Sequence, residues 1–101
     1  MLIVQTACAS RKEAESIGEA LVSSSLAACA SVMPCKSIFF WKGRLEKQDE
    51  WLLELKVADA KYARAERRIR QLHSYELPQV IALPVARASR EYAQWVRRAN
   101  R

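Results

Sequence analysis

The sequence has few of the residues that build phosphate sites or catalytic nucleophiles. Of its 101 residues, only two are glycine and three are proline. Phosphate-cradling loops need several glycines where the backbone approaches the ligand, so a Gly-rich loop of that kind is excluded. No Gly-x-Ser-x-Gly motif occurs, and the single histidine, His73, has no sequence neighbour suited to a nucleophile–base pair. The sequence therefore predicts a protein that is not an enzyme.

Long apolar runs and paired cysteines are also missing. The longest apolar runs are far shorter than the about 20 residues of a membrane-spanning helix, and residues 1–6 lack the basic flank and apolar centre of a signal peptide. The three cysteines (Cys8, Cys29 and Cys35) are odd in number and have no CxxC spacing. We expect reduced thiols that act as small apolar residues, and a cytoplasmic protein without a membrane partner.

The overall composition is that of a folded globular chain. Hydrophobic residues make up 50% and charged residues 28%, so we expect one domain over residues 1–101 with a single core. The net charge of +6 raises nucleic acid as a partner. However, four arginines lie on one predicted helix, interleaved with Glu66, a pattern typical of a solvated helix face: Arg64, Arg67, Arg68 and Arg70. Nucleic-acid binding is therefore not expected.

The most informative segment is a predicted β-hairpin centred on Lys42-Gly43. Aromatic and β-branched residues flank this pair on both sides, and glycine readily takes the positive φ of a two-residue turn. Strands from about residue 28 to 41 and from 44 to 57 would each span roughly 45 Å. A domain of this length has a diameter of only roughly 34 Å. The far end of the hairpin would project beyond the core, so we expect other copies of the chain to cover it: Ile38, Phe39, Phe40 and Trp41.

The remaining elements complete an alternating order. Residues 2–6 predict a buried strand, and Ser10 with Glu13 has the capping-box spacing that begins a helix over residues 11–25, with Val22 widening its apolar face. Pro34 predicts an edge position or a bulge in the second strand. Asp59 is the predicted N-cap of a second helix, which has an outward Glu66–Arg70 pair and a buried stripe of Tyr62, Ala65, Ile69 and Leu72.

The chain ends with a strand and an extra helix. Residues 80–85 predict a buried strand, and Ser89 is the predicted cap of a last helix with one apolar face: Tyr92, Trp95, Val96 and Ala99. The order strand, helix, strand, strand, helix, strand is that of an α+β, ferredoxin-like split βαβ sandwich with an added C-terminal helix. Such a sheet leaves one face uncovered, which is a second reason to expect self-association.

One connection concentrates polar side chains. His73, Tyr75 and Glu76 lie in the predicted helix-to-strand connection, where binding groups are often displayed. Two interpretations stay open: a helix C-terminus favoured by a basic His73 with Tyr75 against the sheet, or a binding site. In the second case His73 is the expected metal ligand, because histidine is the commonest such ligand.

The chain as a whole resembles the CutA divalent-cation tolerance family. The segments that carry the resemblance are 27–30, 41–46, Glu50, 55–56, 73–78, 81–85 and 92–95. The resemblance implies a ferredoxin-like trimer with long hairpins around the three-fold axis, similar to the PII signalling proteins. It also implies a link to tolerance of copper and other divalent ions.

The sequence departs from the family pattern at the implied copper ligands. Ser74 stands where the family has proline, between His73 and Tyr75. In members that bind copper through paired histidines and a cysteine, the matching positions are Leu72 with His73, and Gln5, so two of the three ligands are missing. Cys8 lies near Gln5 and is a candidate substitute.

Two hypotheses follow. In the first, a cytoplasmic homotrimer binds Cu²⁺, another divalent ion or a small ligand weakly in clefts between subunits, and no metal is required for folding. The expected cleft residues are Trp41, Glu50, Lys56 and Tyr75, with His73 as the metal contact. In the second, a PII-like regulatory or scaffold trimer acts on protein partners, and metal binding is incidental.

Overall fold

A computed structural model describes residues 1–100 and shows four strands and three helices. The elements are β1 (Leu2–Cys8), α1 (Arg11–Ser23), β2 (Cys29–Trp41), β3 (Arg44–Val57), a 3₁₀ turn (Asp59–Lys61), α2 (Tyr62–Leu72), β4 (Ile81–Pro84) and α3 (Arg90–Ala99). The strands form one antiparallel sheet in the order β2-β3-β1-β4. The predicted ferredoxin-like α+β fold is confirmed.

The hairpin has the predicted turn and length. Lys42 has φ 51° and Gly43 φ 78°, the two positive values of a type I′ turn. The strands stay in register from Trp41 opposite Arg44 to Cys29 opposite Lys56. The described chain measures 45 × 25 × 21 Å, so the hairpin sets its long axis. At the tip, Phe40 is 74% and Ile38 62% exposed in the single chain.

Pairing within the sheet explains the position of Pro34. It lies in β2, which is an edge strand and pairs only with β3. Proline has no amide hydrogen to donate to a second neighbour, and an edge strand does not require one there. The predicted edge position is confirmed.

The core lies between the sheet and the helices α1 and α2. Alternate residues of β1 and β3 point into it, and Ile17 of α1 and Ile69 of α2 close it from the other side. The strand contribution consists of Val4, Thr6, Cys8, Leu53, Leu55 and Val57. The opposite surface, here called the open face, carries the odd-numbered residues of β1 and β2 and the even-numbered residues of β3.

Helix α1 begins as predicted. The Ser10 hydroxyl accepts a hydrogen bond from the amide of Glu13 at 3.1 Å, and the Glu13 carboxylate accepts one from the amide of Ala9. The helix ends at Ser23, two residues before the predicted end, because Ser25 takes φ 62° and turns the chain. Val22 is exposed, so it extends the apolar face of the helix beyond the part that joins the core.

Asp59 does not cap α2. A 3₁₀ turn precedes the helix, and the Asp59 carboxylate binds the ammonium group of Met1 instead. The predicted stripe is present, with Ala65 and Ile69 fully buried and Tyr62 and Leu72 packed against the core. Glu66 pairs with Arg70 at 3.6 Å.

Strand β4 is shorter and more exposed than predicted. It covers only Ile81–Pro84, and Ile81 and Leu83 are both exposed. The reason is the register with β1, in which Ile81 pairs with Gln5 and Leu83 with Ile3, so both side chains lie on the open face. In α3, Ser89 caps the helix as predicted and Val96 is buried, while Tyr92 and Trp95 remain partly exposed.

Candidate functional site

A groove of about 600 Å³ lies between the hairpin and the connection from α2 to β4. Ser37, Phe39 and Trp41 of β2 and Gln48 and Glu50 of β3 form one wall, and all five belong to the open face. The segment from Tyr75 to Leu77, together with Gln79, forms the other wall. Strand alternation puts the five hairpin side chains on one face, and the fold brings the α2–β4 connection against them.

Glu50 is the most buried charged residue of the groove. It is 5% exposed, and the hydroxyl of Tyr75 donates a hydrogen bond to its Oε2 at 2.6 Å. Burial raises the pKa of Tyr75, and the hydrogen bond and charge of Glu50 raise it further. The phenol therefore stays a neutral donor, and this contact fixes the α2–β4 connection against β3.

Trp41 ends the groove near the hairpin turn. Its ring is 39% exposed, and the Lys42 Nζ lies 5.7 Å from the ring centroid. Phe39 lines the same wall two residues earlier. Together with Tyr75, these rings give the groove an aromatic surface suited to flat or apolar ligand groups.

Lys56 shares the open face with Glu50 but not the groove. Six residues along β3 separate the two, or ~20 Å. Lys56 lies opposite Ile3 and Cys29, at the other end of the sheet from the hairpin tip. The structure thus brings Trp41, Glu50 and Tyr75 together within one chain and places Lys56 apart from them.

His73 is buried beside the groove, and both of its ring nitrogens are already engaged. Nε2 lies 3.0 Å from the carbonyl oxygen of Ala7, and Nδ1 accepts a hydrogen bond from the amide of Tyr75 at 3.2 Å. A carbonyl only accepts, so Nε2 carries the hydrogen and Nδ1 none. The ring thereby links β1 to the α2–β4 connection as a neutral structural group.

Cys8 lies next to His73. From the sequence it was a candidate metal ligand only because it is near Gln5. Its Sγ lies 3.9 Å from His73 Nε2, although 65 residues separate the two in the chain. Burial, and then the charges of Glu13 and Glu50, raise the pKa of the Cys8 thiol to about 12. The predicted strand ended at residue 6, which left Cys8 in the following connection. In the fold Cys8 is the last residue of β1, and His73 lies next to it.

Glu13 connects the start of α1 to the same region. Its carboxylate accepts hydrogen bonds from the amide and the hydroxyl of Ser74 at 2.7 and 3.1 Å. Burial alone would raise the pKa of Glu13, but the hydrogen bonds from Ser74 and Ala9 outweigh it and lower that pKa. Ser74, the departure from the family pattern, thus gains a partner through its hydroxyl.

Within residues 1–100, no cluster of three or more histidine, cysteine or acidic side chains has the geometry to hold a metal ion. Leu72 packs against the core, and the amide of Gln5 donates a hydrogen bond to Glu54 at 2.7 Å. Cys8 and His73 are two possible metal donors, with Sγ and Nε2 3.9 Å apart. Two such donors do not make a closed metal site.

Two broader features of the surface bear on partners. No helix in the described part of the chain is both long and apolar enough to cross a membrane. Arg64, Arg67 and Arg68 are exposed on α2, as expected of a solvated helix face.

Comparison with known proteins gives one consistent result. A family model described as CutA1 divalent ion tolerance protein matches residues 2–99. The divalent-cation tolerance protein CutA of Thermus thermophilus is 37% identical over 89 residues, which cover 87% of this chain and 86% of the relative. The CutA protein of Archaeoglobus fulgidus is 34% identical over 87 residues, covering 86% and 85%.

A solved structure agrees with these sequence matches. The structure described as the periplasmic divalent cation tolerance protein CutA from Archaeoglobus fulgidus superposes with a TM-score of 0.97. It covers 100% of both chains at 30% sequence identity.

Proposed function

Since the chain belongs to the CutA1 divalent ion tolerance family, we propose that it acts as a homotrimer that binds a small ligand, and weakly a metal ion, in clefts between subunits. The observation that carries this proposal is the groove formed by Trp41, Glu50 and Tyr75 on the open face. Because these side chains lie on the projecting hairpin and beside it, a neighbouring copy that covers the hairpin also encloses the groove.

Exposed apolar area supports the trimer. Phe40 and Ile38 at the hairpin tip and Ile81 and Leu83 on β4 are all exposed in the single chain. Two sheet edges, β2 and β4, also lack partners among the described strands. Exposed apolar side chains and unpaired edges of this kind are typical of subunit interfaces.

Sedimentation equilibrium at low micromolar concentration tests the assembly. We expect the mass of three chains for the native protein and a smaller species for Phe40→Glu. Ser16→Glu adds the same charge on the exposed side of α1 and should stay trimeric. A native protein that is folded and sediments as a single chain would contradict the trimer and every cleft that depends on it.

Lys56 enters the proposed site only through assembly. Its distance from Glu50 along β3 keeps it out of the groove within one chain. On the open face of a neighbouring copy, Lys56 can approach the groove from across the interface. Its assignment as a cleft residue therefore depends on the trimer.

Metal binding at His73 is proposed as weak because of the contacts already made there. A metal ion on Nε2 has to displace the hydrogen bond to Ala7, and a metal on Cys8 has to displace a proton from a thiol with a pKa of about 12. Cys8 is nevertheless the one soft donor within 4 Å of the described ring atoms of His73. A soft ion bound between these two side chains is the form of metal contact that the geometry favours.

Calorimetric titration with Cu²⁺ tests this contact. His73→Ala should reduce the heat of binding, and so should Cys8→Ser. His73→Gln provides a control for folding, because the glutamine amide can still donate to the Ala7 carbonyl. Identical heats for the native protein and His73→Ala would show that His73 does not bind Cu²⁺.

The second candidate function is a PII-like regulatory or scaffold trimer that acts on protein partners. It is favoured by the leucine and glutamine at the implied ligand positions, Leu72 and Gln5, and by the exposed aromatic tip of the hairpin. In this version Trp41→Ala abolishes capture of a partner from lysate while Cu²⁺ binding is unchanged. The reverse pattern, with capture retained by Trp41→Ala and copper binding lost in His73→Ala, favours the first function.

We propose that the chain contributes to tolerance of divalent cations. The relatives are named for divalent-cation tolerance and none of those cited is named as an enzyme, in line with the proposal that this chain binds rather than catalyses. One structural relative is described as periplasmic. For this chain we retain the prediction of a cytoplasmic protein.

A further inference from the structure

The groove is acidic although the chain as a whole carries a net charge of +6. Two carboxylates, Glu50 and Glu76, line it together with the amides of Gln48 and Gln79. Among residues 1–100, no lysine or arginine belongs to its lining. The groove is thus negatively charged in a positively charged protein. Its acidic character is a local property and does not follow from the net charge of the chain.

Glu50 lacks a cationic partner within the described chain. Its side chain is almost fully buried, and its one hydrogen bond there comes from the neutral hydroxyl of Tyr75. Lys36 is the nearest lysine in the strand pairing, but it forms its ion pair with Asp49, on the other face of β3. A buried carboxylate is costly unless a cation compensates it, so the groove favours a ligand that brings positive charge.

The aromatic walls indicate which kind of cation fits. The rings of Phe39, Trp41 and Tyr75 line the groove, and aromatic faces attract ammonium groups and apolar ligand bodies. A hard inorganic ion instead requires about six oxygen ligands at short range. The groove provides carboxylate and ring surface rather than such an oxygen cage.

We propose that the groove binds an organic cation, an amine with an apolar or aryl group, whose ammonium meets the carboxylate of Glu50 while its apolar part lies against Phe39 and Trp41. This inference rests on the proposed ligand-binding function of the same groove. It excludes anions such as nucleotides from the site, because Glu50 and Glu76 repel them.

A matched series of three probes tests the charge preference. Phenethylamine, 2-phenylethanol and phenylacetate share a phenyl ring and a similar size, and near neutral pH they are cationic, neutral and anionic. Calorimetric titration of the native protein should show phenethylamine binding about tenfold tighter than the alcohol, with phenylacetate the weakest.

Two variants assign the preference to Glu50. Glu50→Gln removes the charge but keeps an oxygen that can accept from the Tyr75 hydroxyl. It should lower the affinity for phenethylamine to that of 2-phenylethanol. Asp49→Asn removes a neighbouring carboxylate that lies outside the groove, so it should keep the native preference. Equal loss in both variants would overturn the assignment.

The outcomes separate this inference from the function on which it rests. Equal affinities for the amine and the alcohol in the native protein overturn the organic cation but keep a ligand groove. If Lys56→Gln then makes phenethylamine bind more tightly than 2-phenylethanol, Lys56 of a second copy is the cation that occupies the position beside Glu50. Displacement of phenethylamine by an equal concentration of Mg²⁺ also overturns the inference, in favour of an inorganic ion. Failure of all three probes to bind overturns both the inference and the proposed groove.

Discussion

The hydroxyl of Tyr75 donates a hydrogen bond to the carboxylate of Glu50 across 2.6 Å, and this contact joins the α2–β4 connection to the base of the long hairpin. Both residues lie at the groove, one on each wall. The groove therefore owes its shape to a bond between a loop and a strand that are 25 residues apart.

Tyr75→Phe should destabilise the protein by about 1.5–2 kcal/mol, since it removes a hydrogen bond to a buried charged group. Chemical unfolding at one fixed protein concentration measures the change. In a double-mutant cycle with Glu50→Ala, the two losses should not add, because either substitution alone breaks the same bond. Additive losses would mean that the two side chains contribute independently.

Gly18→Ala should destabilise the protein by about 1 kcal/mol, although alanine favours helices over glycine. A Cβ at position 18 would lie 3.0 Å from the Cβ of Ala30 and 3.3 Å from Cδ1 of Leu53, because α1 packs directly on the sheet at this point. Thermal unfolding checks the sign of the change.

Two further variants identify the cause of that loss. Adding Ala30→Gly to Gly18→Ala should restore much of the stability, since it removes the nearest atom. Ser16→Ala, on the exposed side of the same helix, should be neutral or slightly stabilising. A stabilised Gly18→Ala protein would show that the sheet yields to the added methyl group.

Thr6→Val should stabilise the protein by about 1 kcal/mol. The Thr6 hydroxyl is fully buried and has no hydrogen-bond partner within residues 1–100, whereas valine keeps the shape without the unsatisfied polar group. Denaturant unfolding measures the difference, and Thr6→Ser provides the contrast, because it keeps the hydroxyl and loses the methyl. Destabilisation by valine would show that the hydroxyl is hydrogen-bonded in solution.

The elements that could be predicted from the sequence are those set by local chemistry. The turn at Lys42-Gly43 follows from the demand for positive φ, and the start of α1 follows from a serine hydroxyl facing an amide three residues on. Pro34 was placed on an edge strand because it lacks an amide hydrogen. Trp41 and Glu50 were expected in one cleft, and the register of the hairpin places both on the open face.

The features that could not be predicted depend on contacts between distant segments. Asp59 has the chemistry of a helix cap, yet a stronger partner, the ammonium of Met1, lies beside it in the fold. Residues 80–85 are as apolar as a buried strand, but the register with β1 places Ile81 and Leu83 on the open face. The approach of His73 to Cys8 likewise appears only when α2 ends against β1.

Glu13→Gln should lower the free energy of unfolding by about 1.5–3 kcal/mol near neutral pH. The reason is that the Glu13 carboxylate accepts hydrogen bonds from Ser74 and Ala9. Its pKa in the folded protein is lowered from the ordinary value of 4.5. A lowered pKa adds stability that is present above the unfolded value and is lost as the pH falls through the folded value. The difference in unfolding free energy between native and Glu13→Gln proteins should therefore shrink below about pH 4.5. Glu19 is exposed on the same helix, so Glu19→Gln should differ little from the native protein at any pH. A Glu13→Gln difference that is constant from pH 7 to pH 3 would show that shape rather than charge links α1 to Ser74.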